Sequence, residues 1–152
     1  LLSISARIVP GLGVAKGTLA RQLPLICQNF PEVADCYPGT INLEFEFPLT
    51  VTQPDHRTAP LAWTPSGRTT EVFDLVRIEL ELDQLPARVP AWLYAAHNSP
   101  HRSTPTVHEV IARQINLSEV RECRLHLRAS AVTLVHPAQE TASISCALSS
   151  SQ

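Results

Sequence analysis

The stretch CYPGTINLEFEF, residues 36–47, joins a turn signal to a regular alternation of apolar and polar residues. Pro38 presets φ for a turn, and Gly39 is expected to supply the positive φ that such turns need. After the turn every second residue is apolar, as in a strand with one buried face. Thr40 and Asn42 therefore share the opposite face, where this half-buried strand begins.

Similar alternation recurs along the chain and predicts a mainly β fold. Strands are predicted over residues 3–9, 40–47, 72–82, 87–95 and 122–135. Helical spacing of apolar residues predicts a helix within 19–30 that is kinked or begins late because of Pro24, and residues 107–115 are expected to form a second short helix. The proline-rich residues 48–70 are expected to be a long excursion with one short strand at 61–64.

Many strands, few helices and turn signals between them predict a small closed β-barrel with one or two short helices. The barrel is expected to occupy residues 1–135 as one domain, since 152 residues suffice for one core. The residues after Pro137 are small and polar, so 136–152 are expected to be a mobile tail.

Charge and composition exclude several classes of function. The formal net charge is −2 and the basic residues form no run, which argues against nucleic-acid or membrane-surface binding. No apolar stretch approaches the roughly 20 residues of a membrane helix. The first residues do not resemble a signal peptide. Four cysteines without C-x-x-C spacing are expected to be free, mostly buried thiols in a cytoplasmic protein.

A loop with three glycines and a lysine, PGLGVAKG at residues 10–17, connects the first strand to the helix. Its backbone N–H groups are suited to hold phosphates while Lys16 neutralises their charge. The spacing fits neither a Walker A loop nor G-x-G-x-x-G. A plain strand–helix connection is therefore the alternative.

Thr40 and Asn42 carry neutral oxygens, which Mg²⁺ accepts when substrate phosphates complete its coordination shell. Their alternative role is to satisfy N–H groups of the turn. His97, His101 and His108 fit no zinc-ligand spacing and are expected to be solvated loop residues.

In chain order these pieces resemble the CTP-dependent riboflavin kinases best known from archaea. The shared pattern is GLG-x-x-K after the first strand, then YPGTINL, then VFDLVRIEL, then a segment reading EVIA. It runs over residues 4–134, and YPGTINL is its most specific part. The resemblance implies a cradle-loop-type, riboflavin-kinase-like barrel that transfers the γ-phosphate of CTP to riboflavin, giving FMN and CDP.

The resemblance also implies roles for individual residues. Thr40 and Asn42 would bind Mg²⁺, and Glu109, expected at a helix start, would contact flavin and serve as the catalytic residue. The glycine loop, which holds the nucleotide in that family, corresponds to Gly11, Leu12, Gly13, Val14, Ala15 and Lys16. The further substrate-binding candidates are Ser103, Thr104 and Arg113.

Two departures from the family pattern define the alternatives. Val14 stands in place of an acidic residue and Ala15 in place of a glycine, and the basic segment after Ala112 is shorter than in the family. These changes favour a non-catalytic barrel that binds flavin or nucleotide as a sensor or interaction module, or a related kinase with another donor or acceptor. The retained YPGTINL favours an enzyme, because a purely structural protein needs neither polar side chain.

Overall fold

The computed structural model describes residues 1–10, 15–97, 106–117 and 120–135. The strands in this part of the chain are β1 Leu2–Val9, β2 Ile41–Phe45, β3 Leu49–Val51, β4 His56–Arg57, β5 Phe73–Glu81, β6 Val89–Ala96, β7 Val107–Ala112, β8 Glu122–Leu127 and β9 Val132–Leu134. The α-helix is α1, Ala15–Asn29, and short 3₁₀ helices lie at Pro31–Val33 and Ala129–Ala131.

Six antiparallel strands close into a barrel. Their order is β5–β6–β7–β2–β1–β8, and β8 pairs back with β5. β4 pairs with the first part of β5, while β3 and β9 form a separate two-stranded sheet. Each barrel strand is thus paired on both sides, which removes the open edges of a flat sheet. The predicted mainly β fold, a small closed barrel with a helix, is confirmed.

Two hydrophobic layers follow from the alternation along the strands. The interior of the barrel is filled by inward-facing side chains, among them Leu43, Val76, Ile78, Leu93, Val110 and Leu125. A second cluster lies outside the barrel, where α1 packs against the outer face. Its members are Leu19, Leu23, Ile26 and Val33 with Phe73, Leu75, Trp92, Tyr94 and Ile111. Strands β5, β6 and β7 are therefore apolar on both faces wherever α1 covers them.

The second predicted helix is wrong, because residues 107–112 form strand β7. Val110 and Ala112 face the barrel interior, whereas Ile111 belongs to the outer cluster under α1. The resulting apolar run hides the alternation of the strand and imitates a short buried helix. Glu109 consequently lies in the middle of a strand and not at a helix start.

Several predicted elements are confirmed, although their ends or continuity differ. The strands predicted at 3–9, 40–47, 72–82 and 87–95 correspond to β1, β2, β5 and β6. The helix starts earlier than predicted and continues through Pro24, whose side chain is exposed. The strand predicted at 122–135 is two strands, β8 and β9, which belong to different sheets.

The excursion between β2 and β5 holds more structure than predicted. It contains β3 and β4, whereas the strand predicted at 61–64 is a single bridge between Leu61 and Glu71. The tail predicted at 136–152 lies outside the described residues. Among the described parts of the chain, no helix combines the length and apolar character needed to cross a membrane.

The predicted free thiols are confirmed for Cys27, Cys36 and Cys123, whereas Cys146 lies outside the described residues. Cys123 is buried and the other two are partly buried. Burial raises the pKa of Cys36 to about 11, with smaller contributions from Asp35 and Cys27. Its thiol is therefore protonated, and weakly nucleophilic, at neutral pH.

Candidate functional site

A row of side chains crosses the outer face of the barrel on neighbouring strands. Tyr94 of β6 lies opposite Glu109 of β7, Glu109 lies opposite Asn42 of β2, and Asn42 lies opposite Val9 of β1. Because Leu43 points into the barrel, its neighbour Asn42 and the rest of the row point outward. Side chains at opposed positions have Cβ atoms about 4.5–5.5 Å apart. The row thus forms one continuous patch.

Thr40 directly precedes β2, and continuation of the strand alternation by one residue would put its side chain on the face of Asn42. Its Oγ1 is buried and has no hydrogen-bond partner among the described residues. The Asn42 amide likewise makes no hydrogen bond within the described part of the chain. Neither side chain satisfies an N–H group of the turn there, contrary to the alternative role. A buried hydroxyl without a partner costs about 1–3 kcal/mol, so this oxygen is available to a water molecule or a ligand.

Glu109 completes the patch with a carboxylate. Burial raises the pKa of this side chain above its ordinary value. Within the described residues the carboxylate accepts no hydrogen bond and forms no ion pair. A half-buried carboxylate with a raised pKa and no partner among the described residues is suited to accept a proton from a bound hydroxyl.

The Tyr37–Thr40 turn is held against the end of β7. The Tyr37 N–H donates to the Ala112 carbonyl at 2.7 Å, and the Gly39 N–H donates to the Tyr37 carbonyl at 2.8 Å. The expectation of a positive φ at Gly39 is wrong, since among the described glycines that conformation is found at Gly67, with φ of 63°. Glycine is required at 39 for a different reason: a Cβ there would lie 2.9 Å from Cε1 of the Tyr37 ring.

Replacing Gly39 with alanine is expected to lower the free energy of unfolding by about 1–2 kcal/mol, since the Tyr37 ring must move. Urea denaturation followed by circular dichroism measures the change. Gly67→Ala is the matched comparison, because a Cβ there meets nothing within 4 Å and only the positive φ is strained. If both variants lose the same stability but only Gly39→Ala weakens Mg²⁺-dependent ligand binding, the turn positions Thr40. Equal binding by both variants would contradict that role.

The glycine loop is only partly described. Gly11, Leu12, Gly13 and Val14 lie outside the described residues, and Ala15 and Lys16 form the first turn of α1. Topology nevertheless fixes where the loop starts. β1 ends at Val9 beside Asn42, and the chain then continues through the loop into α1.

The remaining predicted substrate residues precede or follow β7 in the sequence. Ser103 and Thr104 lie outside the described residues, in the connection that precedes this strand. Arg113 follows the strand, is exposed, and donates from Nη1 to the Gln114 carbonyl at 3.4 Å. The hydrogen bond of Tyr37 to Ala112 brings this end of β7 next to the Tyr37–Thr40 turn.

His97 and His108 have different surroundings. His97 Nδ1 lies 3.0 Å from Oδ2 of Asp74, whose other oxygen accepts from Arg57 Nε at 2.7 Å. His108 is buried in β7 against the Phe45 ring, so the expectation of a solvated loop residue is wrong. His101 lies outside the described residues. In the described ranges no group of three or more His, Cys, Asp or Glu side chains could hold a metal ion.

Sequence reasoning missed two residues of this region. The Tyr94 hydroxyl donates a hydrogen bond to Oε1 of Gln22, which projects from α1. A signal for Gln22 was present in the sequence, because it follows Leu19 by three positions and precedes Ile26 by four. That spacing places a polar amide within the apolar face of the helix.

The chain was compared with models of protein families and with curated proteins, and neither comparison finds a match.

Proposed function

We propose that this protein is a phosphotransferase that moves the γ-phosphate of a nucleotide, CTP in the first instance, to riboflavin. The main support for this proposal is the patch formed by Thr40, Asn42 and Glu109. These three polar side chains make no hydrogen bonds among the described residues. They converge beside the strand that leads into the glycine loop. Phosphoryl transfer depends mainly on positioning and charge neutralisation. The patch offers groups for positioning, and a Mg²⁺ ion and Lys16 would supply the positive charge.

The residues fit a Mg²⁺ ion. Thr40 Oγ1 is a buried oxygen without a partner among the described residues, and the Asn42 amide adds a second neutral oxygen on the same face. Mg²⁺ prefers oxygen ligands and keeps waters and substrate phosphates in its shell, so two neutral protein ligands suffice. When bound, the ion would neutralise the charge of the phosphates.

Glu109 has the role of orienting the primary hydroxyl of riboflavin and accepting its proton. Its raised pKa results from burial, which makes the carboxylate more basic than an exposed glutamate. Glu109 lies opposite Asn42, so a hydroxyl bound by Glu109 would be close to phosphates held by a Mg²⁺ ion on Asn42. Lys16 would hold the phosphates from the side of the loop, and Ser103, Thr104 and Arg113 remain candidates for contacts with the flavin or nucleotide.

A second candidate is a barrel that binds flavin or nucleotide without catalysis. The observations that favour it are Val14 and Ala15 in the glycine loop and the short segment after Ala112. A kinase with another donor or acceptor is the third. For all three a cytoplasmic location is proposed, consistent with the free thiols of Cys27, Cys36 and Cys123.

A thermal-shift panel tests these functions. Riboflavin, FMN, CTP, ATP and Mg²⁺ are added singly and in combination, since a ligand of the native state raises the melting temperature by mass action. A shift that requires CTP and Mg²⁺ together, with formation of FMN from riboflavin, supports the kinase. A shift with flavin alone, and no FMN formed, supports the binding module. No shift with any combination would contradict both.

A further inference from the structure

A second row of outward-facing side chains runs beside the candidate site on the same three strands. Arg7 of β1 lies opposite Glu44 of β2, and Glu44 lies opposite Val107 of β7. Each of these residues is two positions along its strand from a member of the first row, so both rows face outward. A strand rises about 3.4 Å per residue, which puts the two rows roughly 7 Å apart.

The guanidinium of Arg7 is turned toward the strand that carries Asn42. Two carboxylates lie opposite Arg7, Glu44 on β2 and Glu122 on β8, and the ion pair is formed with Glu44. Asn42 is the diagonal neighbour of Arg7 in the same pairing of β1 with β2. Diagonal neighbours are about 7–8 Å apart, a distance that a long side chain spans. A phosphate bound next to Asn42 would therefore be within reach of Arg7.

The ion pair between Arg7 and Glu44 lies at the surface. The Arg7 side chain is 66% exposed and that of Glu44 is 38% exposed. Such pairs contribute little to stability, because water and salt screen the attraction and two side chains must be held in one geometry. A phosphate offers a guanidinium two parallel hydrogen bonds and a higher charge. Phosphate can therefore displace Glu44 from Arg7 at small cost to the fold.

The patch of Thr40, Asn42 and Glu109 has no cation among its described side chains. A Mg²⁺ ion neutralises only part of the charge of a nucleoside triphosphate, and arginine or lysine side chains supply the rest in phosphoryl-transfer sites. Arg7 is the cation of the adjoining row, whose other members are Glu44 and Val107.

We propose that Arg7 is a phosphate-binding residue of the candidate site and that it exchanges Glu44 for the phosphates of the nucleotide when they bind. The location of these phosphates beside Asn42 rests on the proposed function. A purely structural ion pair would behave differently, because the loss of either partner would then have the same effect.

The test is calorimetric titration of the full chain in the presence of Mg²⁺, with CTP and with tripolyphosphate, which has the phosphates but no nucleoside. Arg7→Gln is expected to weaken binding of both about 10-fold, because it removes charge-assisted hydrogen bonds. Arg7→Lys should lose about 3-fold, since an ammonium keeps the charge but not the bidentate geometry. Glu44→Gln should tighten binding about 3-fold, because it frees Arg7. The double variant Arg7→Gln, Glu44→Gln should bind within about 2-fold of Arg7→Gln.

Arg124→Gln is the matched control. Arg124 is an exposed arginine of β8 that lies opposite Ser5, roughly 13 Å along β1 from Val9. The control removes the same charge from the chain, but salt at about 0.15 M screens charges beyond about 8 Å. Its affinities are expected to stay within about 2-fold of wild type.

Equal affinities in Arg7→Gln and Arg124→Gln would overturn the phosphate-binding role, and unchanged or weaker binding in Glu44→Gln would overturn the exchange. If wild type forms no FMN from riboflavin but Arg7→Gln weakens tripolyphosphate binding, the proposed function fails and the role of Arg7 stands. If wild type forms FMN and Arg7→Gln binds CTP like wild type, the role of Arg7 fails and the proposed function stands. Wild type that binds neither CTP nor tripolyphosphate would overturn both.

Discussion

Replacing Thr40 with valine is expected to raise the free energy of unfolding by about 1–2 kcal/mol and to lower turnover at least about 100-fold. Valine keeps the shape of the side chain but removes the buried Oγ1 that has no partner among the described residues. The free protein therefore loses a destabilising group, whereas the proposed Mg²⁺ complex would lose an oxygen ligand. Urea denaturation in the absence of ligands and an assay of FMN formation measure the two effects.

Thr58→Val is the matched control for this prediction. Thr58 is 6% exposed, and its Oγ1 accepts a hydrogen bond from the Phe73 N–H at 2.9 Å. Valine at this position leaves the Phe73 N–H without that acceptor, so stability is expected to fall by about 1–3 kcal/mol. Stability and turnover should thus change in opposite directions for Thr40→Val. A loss of stability in Thr40→Val similar to that in Thr58→Val would show that the hydroxyl has a structural partner and is not reserved for a metal ion.

Replacing Glu109 with glutamine is expected to reduce kcat at least about 100-fold while riboflavin affinity stays within a few-fold, since the amide keeps the shape but cannot accept the proton. Steady-state assays and calorimetric titration with riboflavin separate the two quantities. Glu122→Gln is the control, because Glu122 is an exposed carboxylate at the start of β8. Unchanged kcat in Glu109→Gln would remove the base from the mechanism, and weaker riboflavin binding with unchanged kcat would leave Glu109 a binding residue.

The raised pKa of Glu109 predicts a pH dependence of stability, and Glu109→Gln tests it. This prediction does not require the proposed function. The pKa of Glu109 in the folded protein is raised above its ordinary value of 4.5, so the unfolded chain loses this proton first as the pH rises. The contribution of Glu109 to the free energy of unfolding is therefore most favourable below pH 4.5. It is lost as the pH rises from 4.5 through the raised pKa of the folded protein. Glu109→Gln should lack this loss and exceed wild type in stability at neutral pH. Denaturation curves at several pH values measure the difference, and a constant difference at every pH would contradict the burial of the charge.

The strands that build most of the barrel were predictable because one face of each is buried and the other is polar. In β2 this alternation alone puts Thr40 and Asn42 on one face. Strand β7 was mistaken for a helix because Ile111 packs outside the barrel under α1 and interrupts the pattern. A second core outside the barrel cannot be inferred from a local window of sequence.

The neighbours of the site residues depended on pairing between distant parts of the chain. Asn42 meets Glu109 because β2 pairs with β7, and Glu109 meets Tyr94 because β7 pairs with β6. Periodicity defines which face a side chain occupies, but it does not define which strand lies beside it. The sequence therefore indicated Thr40, Asn42 and Glu109 but not Tyr94. It also assigned Glu109 to a helix, whereas this residue lies in strand β7.

The closure of the barrel has a consequence for the synthesis of the protein on the ribosome. Of the described strands β1 emerges first, yet one of its two partners is β8, with Leu2 opposite Leu127. Pairing across so long a separation carries a large loop-closure entropy and slows folding. Until residue 127 has left the exit tunnel, one edge of β1 and one edge of β5 remain unpaired and can associate with other chains. The nascent chain thus carries unpaired strand edges throughout the interval between the synthesis of β1 and that of β8.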